Sequence, residues 1–299
     1  MIQIRKILRP DRLARSLFDR LRRVGPQYDQ IGPYQIRLLA NGQVLKYKNA
    51  FHLYDSALGK IASVLYSKYP ELHAIDVGAN VGDTAALIRE SAEIPVLCIE
   101  GDPALHPLLA ENVARLGPGV EIEKSFVGRE GATVNLTSAQ DLGSNACLVE
   151  AVDSQGSVKL RSLRTILADH PDFAASKLLK TDTEGFDFDI LRQSIEFIQQ
   201  AKPVVFLEYD PHFRPDEPHA GLATIDALVR AGYSDFIYYD NFGNFLMHVE
   251  SRNRDILRDL DTYLASNRRH GVAVHYFDVC ALHQEDAGLV SGIRSLTQG

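Results

Sequence analysis

Four short runs in this 299-residue chain gather residue types that can hold a charged ligand or move a proton. The first is Asp76-Val77-Gly78-Ala79-Asn80-Val81-Gly82-Asp83-Thr84. Gly78 and Gly82 carry no side chains, so a ligand can approach the backbone there. A dinucleotide fingerprint needs G-x-G-x-x-G around a pyrophosphate. Asn80 and Asp83 stand at its second and third glycine positions. Asp76 and Asp83 also disfavour a diphosphate and suit a ligand with an ammonium group. The second run is Glu100-Gly101-Asp102, and Glu100 lies 18 residues beyond Gly82. A carboxylate at that distance can accept two hydrogen bonds from a ribose diol.

The third and fourth runs are Lys180-Thr181-Asp182-Thr183-Glu184-Gly185 and Glu208-Tyr209-Asp210-Pro211-His212. They offer four carboxylates and one imidazole, and Asp182, Glu184, Glu208 and His212 are the candidate catalytic residues. A carboxylate or His within hydrogen-bond reach can take the proton of an attacking hydroxyl. Each also has a plain structural reading. Asp182 or Glu184 can cap the helix that begins near Phe186, and His212 beside Pro211 can be a surface loop residue. A divalent cation on Asp182, Glu184 and Asp210 is chemically reasonable, but no compact Asp-Asp pair calls for one and none is expected. Tyr209, Phe213, Tyr238, Tyr239 and Phe242 can stack on a sugar ring or fill the core.

The elements that must position these runs follow from hydrophobic pattern. From residue 73 onward, apolar runs alternate with helical periodicity. HAIDVG, VLCIE, VEIEKSFVG, KLLKT and PVVFLEY read as strands, with amphipathic segments between them. FDFDILRQSIEFIQQ and 253–266 read as helices, FIYYDNFGNFLMHV as two strands around Asn244, and VAVHYFDVCAL as a last strand. Continuous apolar strands joined by helices imply a doubly wound α/β sheet buried on both faces. All four runs then sit at the carboxyl ends of strands, where such sheets bind ligands. Ahead of this, 34–48 reads as a β-hairpin turning at Asn41-Gly42, and 51–69 as a helix. The expected partition is a basic helical extension (1–33), a hairpin and helix cap (34–70), and one main domain (71–299).

DVGANVGDT, IEGDP, KTDTEGFDFDIL and LEYDP together resemble the FkbM family of class I S-adenosylmethionine-dependent methyltransferases, over roughly residues 70–245. The family usually reads E-P-N-P where this chain has Glu100-Gly101-Asp102-Pro103. The resemblance implies a Rossmann-like sheet of about seven strands, the last ones antiparallel. It implies S-adenosylmethionine as cosubstrate, with Asp76, Gly78, Asn80 and Gly82 around its methionine end. Asp83 and Thr84 would open a helix whose N–H groups meet its carboxylate. Glu100 would hold the ribose, and Phe126 and Val127 would lie near the adenine. Gly143, Ser144 and Asn145 fall where the family has a polar loop over the cofactor. The expected reaction is O-methylation of a small-molecule, sugar, glycan or polyketide-like acceptor.

Composition limits the alternatives. The formal net charge is -7, with 45% hydrophobic and 24% charged residues, which suits a globular core and gives bulk nucleic-acid binding no support. Cys98, Cys147 and Cys280 are scattered and expected to be free thiols. Residues 1–25 carry eight Lys or Arg against two Asp. They read as an amphipathic helix that packs on the body or another subunit, or touches anionic lipid. With no secretory signal and no apolar run of the ~20 residues that a span requires, a cytoplasmic protein is expected, with peripheral membrane association through that helix as the variant. Two other functions compete: a non-catalytic binding module docked to a membrane or biosynthetic complex, and a nicotinamide-dependent oxidoreductase, which the missing G-x-G-x-x-G disfavours.

Overall fold

Alternate residues of each central strand enter two separate apolar cores, one on each face of a single sheet. In the computed structural model, residues 26–39, 43–137, 147–150, 157–183, 185–214, 216–266 and 274–298 are described. Five parallel strands form the centre: β3 (Ala74–Val77), β4 (Val96–Ile99), β5 (Val120–Glu123), β10 (Leu178–Thr181) and β11 (Val204–Tyr209). β14 (Phe277–His283) inserts antiparallel between β11 and β12 (Tyr233–Asp240), and β13 (Phe245–Glu250) adds an antiparallel edge. The order is β13-β12-β14-β11-β10-β3-β4-β5. The chain leaves β3 toward one edge and returns at β10 toward the other. The switch point, where a doubly wound sheet opens a crevice, therefore lies between β3 and β10.

Among the described residues the sheet has eight strands where about seven are expected, with β13 completing the hairpin after β12. The run VEIEKSFVG divides. β5 stays in the main sheet, while β6 (Phe126–Val127) joins a four-stranded sheet with β7 (Thr133–Thr137), β8 (Cys147–Glu150) and β9 (Ser157–Arg161). The helix expected over FDFDILRQSIEFIQQ also divides, at Ser194 between Asp187–Gln193 and Ile195–Ala201. A helix over Val290–Thr297 follows the last strand, beyond the elements read from the sequence. Cys98 and Cys280 are buried free thiols.

The hairpin expected over 34–48 is corrected. The strands that pair are β1 (Gln27–Ile31) and β2 (Tyr34–Leu38), turning at Gly32-Pro33 with Gly32 at φ 51°. Glycine at the first central position is what a tight hairpin turn of the mirror-image kind requires. Asn41-Gly42 lie outside the described residues, and the expected second strand is instead α1 (Gln43–Ala50). Helical spacing brings the Tyr47 and Phe51 rings together, with centroids 6.1 Å apart, whereas four residues of strand would hold them about 13 Å apart. The helix expected from residue 51 starts later, as α2 (Ser56–Lys68), because Asp55 is left-handed at φ 59°. Leu58, Ile61, Ala62 and Leu65 of α2 fill the core on one face of the sheet. The basic segment 1–25 and the Gly143–Asn145 loop lie outside the described residues. Among the described residues, no helix is long and apolar enough to cross a membrane.

Candidate functional site at the carboxyl edge of the sheet

β3 runs straight into a turn with three left-handed residues: Gly78 (φ 77°), Asn80 (φ 49°) and Gly82 (φ 85°). Gly78 N–H and Ala79 N–H both donate to Ile99 O, at 2.9 and 3.1 Å, tying the turn to β4. A Cβ on Gly78 would stand 1.8 Å from Asp182 O. Backbone therefore meets backbone across the switch point. Glu100 closes the other side: its Oε2 accepts Asn80 N–H at 2.8 Å and its Oε1 accepts Asp102 N–H at 2.7 Å. Burial pushes the Glu100 carboxyl up from its ordinary value, against the pull of those two N–H groups. Each oxygen keeps a further lone pair.

Under the turn lies a buried ion pair. Lys180 Nζ stands 3.0 Å from Asp76 Oδ1 and donates to Gly78 O at 2.9 Å. Asp76 and Lys180 are register partners on β3 and β10, 0% and 3% exposed. Asp76 Oδ1 receives no aligned hydrogen bond, so its contact with the ammonium is one of charge. Its Oδ2 accepts the Thr84 hydroxyl at 2.5 Å. Burial works against the Lys180 charge, but Asp76 and Asp182 outweigh it and hold the ammonium above its ordinary value.

Beside this pair a small pocket is lined by Asp55, Leu58, Thr84, Lys180, Thr181, Asp182, Phe206, Glu208 and Asp278. Strand alternation accounts for part of the set. Asp76, Lys180, Phe206 and Glu208 occupy alternate positions on the strand face that α2 covers, and Asp278 stands directly opposite Glu208 on β14. Like charges so placed oppose ionisation. Asp278 is pushed well up, first by desolvation and then by Asp55 and Asp182. Asp182 opens half-exposed onto the cleft. Its carboxyl is also pushed up, by desolvation and by Asp76 and Asp83, with Lys180 opposing. Tyr54 and Tyr276 stand close to these acids, which together with burial push their hydroxyls up.

Asp55 and Asp278 carry no motif and escape a reading of the sequence. Asp55 is pushed up to about 7, chiefly by desolvation, then by Asp83. A carboxyl raised in the folded state contributes stability that is fully present below its unfolded value and lost as pH rises through its folded value. For Asp55 that window runs from about 4 to about 7. Asn also tolerates left-handed backbone. Asp55→Asn is therefore expected to stabilise the fold, with a gain that grows by about 2 kcal/mol between pH 5 and pH 8 in urea unfolding. An equal gain at both pH values would mean that Asp55 ionises normally.

The remaining sequence candidates are distributed as follows. Thr84 lines the pocket. Asp83, buried, faces Lys48 of α1 at 3.6 Å, and Lys48 also donates to Asp29 of β1 at 3.0 Å. Phe126 packs flat on Gly101, where a Cβ would come within 2.2 Å of its ring. The glycine of IEGDP thus makes room for that ring. Val127 is buried in the core on the opposite face of the sheet from α2. His212 lies on the 3-10 turn Pro211–Phe213, its Nδ1 2.9 Å from Asp210 Oδ1, and it is not among the pocket's lining residues. Glu184 lies outside the described residues. Tyr209, Tyr238 and Tyr239 are core residues, whereas Phe242 packs against Phe51 with ring centroids 4.3 Å apart and the planes tilted by 41°. Among the described residues no three His, Cys, Asp or Glu side chains are grouped to hold a metal ion.

A doubly wound sheet with one antiparallel strand inserted near its end, a glycine turn at the switch point and an acidic residue ending the next strand defines the Rossmann-like methyltransferase class of α/β domain. More narrowly, the family model for the methyltransferase FkbM domain matches residues 76–234, and the chain belongs to that family of S-adenosylmethionine-dependent methyltransferases. It is similar to the methyltransferase FkbM from Methylobacillus flagellatus KT at 16% identity and TM-score 0.38, covering 56% of this chain and 40% of that one. The chain thus spans less than half of that relative. It is also similar to the precorrin-6y C5,15-methyltransferase from Geobacter metallireducens GS-15 at 9% identity and TM-score 0.38, covering 72% and 81% of the two chains. Fibrillarin from Aeropyrum pernix, solved with natively bound S-adenosyl-L-methionine, is similar at 9% identity and TM-score 0.35, covering 70% and 66%. No curated protein matches the chain.

Proposed function

We propose that the protein transfers a methyl group from S-adenosylmethionine to a hydroxyl of a small-molecule, sugar, glycan or polyketide-like acceptor. The observation that carries this reading is the carboxylate-lined pocket opening beside the left-handed glycine turn at the switch point. The residues fit the cofactor. Gly78 and Gly82 hold the left-handed turn that ends β3 and brings its backbone to the switch point, and the surrounding acids favour a cationic ligand. Asp76, Gly78, Asn80 and Gly82 would surround its methionine end, with Asp83 and Thr84 at the helix start. Glu100 would use its spare lone pairs for the ribose, and Phe126 would lie near the adenine. When bound, the cofactor supplies an electrophilic methyl group on a sulfonium.

The chain's own part is to align the acceptor and remove its proton. Among the sequence candidates, Glu208 is the favoured base: it lines the pocket, directly opposite Asp278 on β14. Asp182 lies at the cleft mouth and would orient the acceptor. His212, turned to Asp210, is the weaker candidate. Contact of residues 1–25 with a membrane or second subunit remains part of the proposal and is tested by liposome pelleting with and without them.

Calorimetric titration with S-adenosylhomocysteine tests the cofactor half. Micromolar binding is expected, and Glu100→Ala should weaken it by about tenfold or more, since a lost hydrogen bond to a charged group costs about 1.5–3 kcal/mol. Folded wild-type protein that fails to bind would bring the non-catalytic binding module forward.

A further inference from the structure

Asn112 is fully buried in the helix α3 (His106–Leu116), which follows β4, and it touches neither the pocket nor Glu100. Its side-chain amide nevertheless uses every donor it has. Nδ2 donates to Val81 O at 2.7 Å and to Arg37 O at 2.8 Å, while Oδ1 accepts Arg37 N–H at 2.8 Å. The orientation of the amide is fixed by this network, because the flipped form would set NH₂ against an N–H and oxygen against two carbonyls. Arg37 belongs to β2, whose outer edge would otherwise present an unpaired N–H and C=O. Asn112 pairs both, as a neighbouring strand would. Its third bond ends on Val81, which sits between left-handed Asn80 and Gly82. Backbone of that kind persists only where its surroundings over-determine it. The same helix closes on Gly82, where a Cβ would stand 3.1 Å from Leu109 and 4.0 Å from Asn112. A second link runs parallel to the first, from Asp29 of β1 through Lys48 to Asp83.

We propose that Asn112 is a positioning residue for the cofactor turn, and that through it the N-terminal hairpin, outside the family's matched domain, helps to set the conformation of Val81 and Gly82. The inference rests on reading that turn as the cofactor site. It makes the hairpin a working part of the binding machinery rather than a decoration on it. Ligand at the turn and order in the hairpin should then be coupled reciprocally.

The test uses the full-length chain, S-adenosylhomocysteine as probe, and hydrogen exchange at the Arg37 and Gly82 amides. In wild-type protein the ligand should slow exchange at Arg37 by about fivefold or more. Asn112→Leu should abolish that response, speed exchange at Gly82, and weaken ligand binding by about tenfold or more. Ile166→Ala, a core truncation remote from turn and hairpin, controls for lost stability and should leave affinity within about twofold. If Asn112→Leu does not fold, Asn112→Asp keeps the acceptor for Arg37 N–H and loses both donors. It should loosen Gly82 while Arg37 stays protected. Wild-type affinity in the folded Asn112 variant, or an Arg37 amide indifferent to ligand, overturns the proposal. If wild-type protein binds no S-adenosylhomocysteine, the cofactor reading fails separately. The Asn112 variant then decides alone: unchanged Gly82 exchange removes the link, and faster exchange sustains it.

Discussion

Gly78→Ala is expected to abolish S-adenosylhomocysteine binding and to lower the unfolding free energy by about 3–5 kcal/mol. Two costs combine. At φ 77° a side chain is disfavoured, which by itself costs about 1–2 kcal/mol. The new Cβ would also stand 1.8 Å from Asp182 O and 2.8 Å from its carbonyl carbon. Neither side can retreat. Gly78 N–H is bound to Ile99 O on β4, Gly78 O receives Lys180 Nζ, and Asp182 N–H donates to Val77 O. Relief requires the β3 and β10 ends to part, which opens the cleft floor. Gly82→Ala separates the two costs. Its φ is 85°, but its nearest neighbour is the tip of Leu109 at 3.1 Å, which can rotate aside. A loss of only about 1–2 kcal/mol is expected there. Equal losses for the two variants, measured by urea unfolding, would show that conformation rather than backbone contact dominates.

The same contact explains how much of the site was legible. The runs around Asp76, Glu100, Lys180 and Glu208 could be read because each ends a parallel strand, and a short apolar run into a turn announces such an end locally. Their convergence follows from the doubly wound order. Asp55, Asp278, Lys48 and Asn112 could not be read in this way. Asp55 precedes the matched domain, Asp278 enters through an antiparallel strand late in the chain, and Asn112 is one polar residue in an amphipathic helix. Each gains its role only when tertiary packing brings it to the turn or pocket. The misplaced hairpin has the opposite cause. Asn41-Gly42 is a strong local turn signal, but Gly32-Pro33 supplies the turn, and the aromatic face of α1 packs where a second strand was expected. Likewise Tyr209, Tyr238 and Tyr239, plausible stacking residues by sequence, are claimed by the core.

Lys180→Met should cost about 3–5 kcal/mol, because it strands a buried carboxylate whose desolvation the ammonium had offset. Met matches the length of the lysine stem, so packing changes little and the loss reports charge. Thr84 still donates to Asp76 Oδ2, but Oδ1 would lose the ammonium that stands 3.0 Å from it. The pH dependence has a definite sign. In the wild type the Lys180 value is raised, so its contribution is fully present below about 10.5, its ordinary value, and is lost only at higher pH. Wild-type stability should therefore owe no slope between pH 5 and pH 8 to this lysine. In the variant, a buried carboxyl without its cation takes up a proton more readily, so the deficit should narrow as pH falls from 8 to 5. Asp76→Asn with Lys180→Met should lose less than the two single changes added together, since neither charge is left alone. The expected coupling is about 1–3 kcal/mol. A deficit that is flat with pH and additive in the double variant would reassign Lys180 from balancing Asp76 to holding Gly78 O. The glycine turn would then depend on that single hydrogen bond rather than on the charge beneath it.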